Sequence, residues 1–122
     1  MALANHFENH KDVSEVIYPG LANHPQHDLA AKQMNGFGGI ISMNISGGLE
    51  KSKTFLEKTK IFALAESLGG VESLIEHPAL MTHASLPKNR REAIGITDGL
   101  VRLSVGLESL DDLIDDIEQA LT

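Results

Sequence analysis

The sequence has no cysteine. That absence excludes a disulfide framework, cysteine-ligated zinc and a thiolate nucleophile together. Cations are also scarce, with 10 Lys and Arg against 17 Asp and Glu and a formal charge of −7. Nucleic acid and anionic membranes both demand clustered Lys and Arg, so neither is an expected partner. No apolar run approaches the length needed to cross a bilayer, and the start (Met1-Ala2-Leu3-Ala4-Asn5-His6) lacks the pattern of a secretory signal. Internal repeats, low-complexity tracts and linker-like stretches are missing too. What remains is 122 residues, 42% hydrophobic and 22% charged, enough for one domain with one buried core. A soluble, cytoplasmic single domain is the expectation.

Hydrophobic periodicity and turn residues divide the chain. Leu3 and Phe7 mark a short amphipathic helix that begins at residue 2 without an N-cap, as expected for a chain cut from something longer. Val13 to Tyr18 reads as a strand, broken by Pro19-Gly20 and the loop His24-Pro25-Gln26-His27. His27 to Met34 reads as a helix, and Gly39 to Ile45 is the clearest strand. Gly47-Gly48 turns the chain into a helix from Leu49 to about Lys60, with Phe55 and Leu56 on its inward face. Ile61 to Ala65 is a short apolar run that ends at Glu66-Ser67-Leu68-Gly69-Gly70. Asn89 to Gly95 reads as a small helix and Leu100 to Val105 as a strand. In the last helix Ser109 and Asp112 resemble a capping box, and Leu110, Leu113, Ile114, Ile117 and Leu121 form one apolar stripe. This alternation predicts an α/β chain with α+β layering, its helices covering one face of a small sheet.

Several polar groupings invite a chemical reading. His6 and His10 have metal-ligand spacing but no third ligand, so a solvated helix face is expected. His24 and His27 are expected to serve loop backbone hydrogen bonds. Gly36, Gly38 and Gly39 precede a strand and so mark a turn, not a phosphate loop. Asp111, Asp112, Asp115 and Asp116 lie opposite the apolar stripe and read as a wet face.

Two places stand out. In Ala65-Glu66-Ser67-Leu68-Gly69-Gly70 a carboxylate and a hydroxyl stand where an apolar run stops, beside glycines that admit a ligand to backbone N–H groups. A plain strand end is the alternative. Arg102 is alone among Leu100, Val101, Leu103 and Val105. Its guanidinium cannot shed its charge and needs a partner, and its fork matches a carboxylate. Alternation leaves a second reading open, in which Arg102 merely shares an exposed strand face with Ser104.

Four segments carry a family likeness: Tyr18-Pro-Gly-Leu-x-x-His24-Pro-Gln-His27, Ala65 to Leu74, Met81-Thr-His-Ala-Ser85 and Leu100 to Glu108. In this order they resemble the Cys/Met-metabolism pyridoxal phosphate (PLP) enzymes of trans-sulfuration, which include cystathionine γ-lyase, γ-synthase and β-lyase. The resemblance covers only the C-terminal domain of that family. It implies residues 1–12 as the end of a connecting helix and 13–122 as a C-terminal substrate-binding domain with a mainly antiparallel sheet, as in aspartate-aminotransferase-like enzymes. No lysine here stands in the family's Ser-x-Thr-Lys pattern, so PLP is expected in the parent enzyme, bound mainly by an N-terminal domain absent from this chain. The chain alone is expected to be inactive, with no catalytic residue and no metal ligand of its own. The resemblance implies that Arg102 grips the substrate α-carboxylate, aided by Ser67 with Leu68 beside it. It places Glu66 near the distal part of the substrate and Thr82 on the approach. The implied partners are a sulfur-containing amino acid and the chain's own PLP domain, in a parent homotetramer. A stand-alone, non-catalytic module that binds a small amino acid or a partner protein is the rival reading.

Overall fold

The computed structural model describes residues 1–122. Five strands, β1 (Val13–Ile17), β2 (Ile40–Ile45), β3 (Ala63–Leu64), β4 (Leu74–Glu76) and β5 (Leu100–Ser104), form one sheet in the order β1-β2-β5-β4-β3. Every pairing is antiparallel except β3 with β4. The helices are α1 (Ala2–Phe7), α2 (His27–Gln33), α3 (Gly48–Lys58), α4 (Lys88–Ala93) and α5 (Leu110–Leu121). The mixed architecture and mainly antiparallel sheet agree with the sequence reading. No helix is long and apolar enough to cross a membrane.

One face of the sheet makes the core. Alternation along β2 sends Ile41, Met43 and Ile45 inward, and along β5 it sends Val101 and Leu103 to the same side. They meet Leu3, Ala4 and Phe7 of α1, Phe55 of α3, and Leu113, Ile117, Ala120 and Leu121 of α5. Burying a side chain of this size contributes about 1.5–3 kcal/mol, so this layer is the main source of stability.

Helix starts follow local chemistry. Gly47 and Gly48 have φ of +103° and +71°, a left-handed turn that side chains resist, and α3 begins there. Ser109 occupies the N-cap position of α5 as expected. Its side chain makes no capping bond, which corrects the capping-box reading. Asp111 and Asp112 still place negative charge in the first turn, where the helix dipole favours it.

The sequence reading missed β4. Three residues, all buried, offer no alternation to detect. This strand matters because it lies beside Arg102.

Candidate functional site

The sheet register builds the site. Arg102 stands directly opposite Ser42 of β2 on one side and Glu76 of β4 on the other. Directly opposed residues project to the same face, so Glu76 and Arg102 are neighbours because β4 pairs where it does. Their side chains leave the sheet on the face away from the apolar core. The Glu76 Oε2 lies 2.9 Å from Arg102 Nη2, with Glu76 only 1% exposed and Arg102 20%. The charges pair, but no N–H points along the line, and neither Glu76 oxygen accepts a hydrogen bond. A buried carboxylate without such a counter-charge would cost several kcal/mol.

The remaining contacts to Arg102 come from the loop after β3. Its Nη2 donates to the carbonyl oxygens of Glu66 (2.9 Å) and Ser67 (3.3 Å). All protein partners of the guanidinium thus gather at Nη2. The Nε has none, and no protein acceptor meets Nη1. Arg102 is therefore neither a surface residue nor a fully spent one. The reading in which it shares an exposed face with Ser104 fails, because Ser104 is buried.

Hydrogen bonds lash this loop to the end of β5. The Gly69 N–H donates to Ser104 Oγ (2.7 Å), and the Leu107 N–H donates to the Val71 carbonyl (2.9 Å). Ser73 donates to Glu108 from both its backbone N–H and its hydroxyl, each at 2.8 Å, and that hydroxyl accepts from the Gly106 N–H. The Ser73 donors hold the Glu108 carboxyl below the usual carboxylate range, against the opposing effect of burial. Gly106 has no substitute here, since a Cβ would collide with the backbone of Val71 and Glu72.

Glu66, Ser67 and Arg102 are thus brought together, the first two through main-chain oxygens while their side chains are exposed. Leu68 follows in the same loop and is 53% exposed. Thr82 lies in the turns after β4, exposed, bonded to His83 Nδ1 (2.8 Å) and not to Arg102. Glu76 is the residue that sequence reasoning missed. The one signal was indirect: Arg102 demanded an acid, and Glu76 follows the apolar pair Leu74-Ile75 between Gly69-Gly70 and Pro78.

Other groupings prove structural. The Nε2 atoms of His6 and His10 both meet Glu118, at 2.8 and 3.2 Å, so α1 is tied to α5 and the pair is no freely solvated face. His24 and His27 engage the loop backbone as expected, His27 at the Pro19 carbonyl (2.8 Å). Asp116 corrects the wet-face reading. It is 4% exposed and accepts from the backbone N–H groups of Lys60, Ile61 and Phe62 at 2.7–3.0 Å. The largest concavity, beside Asn44, Thr97 and Asp98, does not include Arg102, so the chemistry of the guanidinium and not surface shape defines the site.

The fold thus sets a partly engaged arginine in a mainly antiparallel sheet, and sequence comparison supplies the family. The model of the Cys/Met metabolism PLP-dependent enzymes matches residues 1–122, and the chain belongs to that family. It is 55% identical over 120 residues to a cystathionine γ-lyase of Dictyostelium discoideum and 57% identical over 121 residues to a cystathionine β-lyase of Coxiella burnetii. These matches cover 98% and 99% of this chain but 31% of each relative. A crystal structure of cystathionine γ-synthase from Xanthomonas oryzae, in complex with aminoacrylate and cysteine, superposes with a TM-score of 0.92 at 50% identity. That match covers 98% of this chain and 31% of the other. The chain therefore spans about a third of the length of the relatives it matches.

The residues present do not by themselves fit PLP. That cofactor needs a lysine amine for its Schiff base and an acid at its ring nitrogen. No lysine here is buried, and Lys51, Lys53 and Lys88 are engaged by Asp12, Glu50 and Asp98.

Proposed function

We propose that this chain is the C-terminal, substrate-carboxylate-binding domain of a PLP-dependent enzyme of trans-sulfuration, of the cystathionine γ-lyase, γ-synthase or β-lyase type. One observation carries the reading: Arg102 is held at Nη2 while Nη1 meets no protein acceptor. A guanidinium so placed offers charge-assisted donors to an amino acid carboxylate.

The cofactor, held mainly by an N-terminal domain in the full-length homotetramer, supplies an electron sink for the substrate Cα. The role of this chain is orientation. Arg102 receives the α-carboxylate, Ser67 and Leu68 border it, Glu66 lies toward the sulfur-bearing end, and Thr82 lines the approach. Fixing the carboxylate limits the rotation of the Cα substituents, and such positioning accounts for large rate factors.

The test uses the full-length enzyme and cystathionine. Arg102→Ala is expected to lower kcat/KM about 100-fold, the loss of a charged hydrogen-bonding partner, with the cofactor absorbance retained. An unchanged KM and kcat/KM would overturn the assignment.

A further inference from the structure

We propose that Glu76 is a positioning residue for substrate binding and acts through Arg102. The inference rests on the carboxylate-binding role proposed above and adds to it the group that aims the guanidinium. Every acceptor near the fork lies at one end: the Glu66 and Ser67 carbonyls and the Glu76 carboxylate all approach Nη2. The two carbonyls are neutral and belong to a loop whose residues 66–72 are exposed. Glu76 is the charged member, on a strand paired to β5, and it is 1% exposed.

Neither of its oxygens accepts a hydrogen bond, so the charge of Arg102, 2.9 Å away, is what compensates a carboxylate at that depth. A carboxylate with that single counter-charge anchors Nη2 and leaves Nη1 without a protein acceptor. Long arginine side chains lose much rotamer freedom on binding. An arm already fixed at one end lowers that cost when the ligand arrives. The fixed end is protein and the free end is for substrate.

The experiment is a double-mutant cycle in the full-length holoenzyme, with KM and kcat for cystathionine as readouts. Cofactor absorbance and unfolding temperature report folding. Glu76→Gln keeps the shape and removes the charge, and it is expected to raise KM about tenfold with a smaller change in kcat. Glu76→Asp keeps the charge but withdraws it by one methylene, so its KM should fall between the two. In an Arg102→Ala background Glu76→Gln should change KM by less than about twofold, since its target is gone. Should Glu76→Gln fail to retain cofactor, Glu76→Asp in both backgrounds decides by the same criterion.

Equal effects in the two backgrounds would reveal a purely structural role and overturn the inference. So would an unchanged KM in both Glu76 variants while Arg102→Ala raises it, and the carboxylate-binding reading would then survive. An unchanged KM in Arg102→Ala would remove that reading and this inference with it.

Discussion

On one face of the sheet Ile41, Met43, Val101 and Leu103 meet Phe7, Phe55 and Ile117, an interlayer contact made of apolar atoms throughout. The other face carries Leu100, Arg102, Ser104 and Glu76 and is closed by a loop that hangs on individual hydrogen bonds. Apolar packing is non-directional and sums over many small contacts, so the first face depends on filled volume and not on the aim of any one atom. The second depends on particular atoms, because each buried polar group there must find its partner. Exposure follows the same division. The two residues of β3, along with Glu66 to Glu72, are exposed, while β2 and β5 bury three and four residues.

Substitutions should separate the two faces. Phe55→Ala is expected to cost most, about 3–5 kcal/mol in denaturant unfolding, because a ring at 1% exposure leaves a cavity that close-packed neighbours cannot fill. If the cost were under about 1 kcal/mol, the apolar layer would not be the main support. Asp116→Ala leaves three backbone N–H groups without their acceptor and should cost about 2–3 kcal/mol by the same measurement. Gly106→Ala forces the Val71–Glu72 backbone to move. It should cost about 1–3 kcal/mol and, in the full-length enzyme, should raise KM more than a core substitution of equal destabilisation. Equal KM values in those two variants would mean that the loop does not shape the site.

Acidification gives the smallest effect. Because the folded Glu108 carboxyl titrates below its ordinary range, its contact with Ser73 contributes stability in full above about pH 4.3, where an unfolded glutamate is ionised. That contribution drains as pH falls through the lower folded value. Glu108→Gln should flatten this part of the acid limb in unfolding measurements, and an unchanged limb would assign the acid sensitivity elsewhere.

The two faces also differ in how far they could be read in advance. The inward residues of β2, α3 and α5 recur at strand and helix periods, so the sequence outlines these elements to within a residue or two at most ends. On the polar face periodicity offers little. Arg102 was recognisable because a lone guanidinium in an apolar run demands an acid, yet Glu76 was hidden in a strand of three buried residues. Asp116 looked like one more acid in a charged run, since its donors come from residues 60–62, more than fifty positions away. Burial by a distant loop leaves no local mark. The family resemblance filled part of that gap for Glu66, Ser67 and Arg102, and the structure then showed that the first two reach Arg102 through the main chain.

The role of Arg102 can be probed by changing the substrate as well as the protein. The full-length enzyme would be assayed with an amino acid substrate and with its α-carboxamide, which keeps the shape and removes the charge. The wild-type enzyme should discriminate by about 100-fold in kcat/KM, whereas Arg102→Ala should treat the two within a fewfold of each other. Equal discrimination by both enzymes would place the carboxylate elsewhere and contradict the assignment of Arg102.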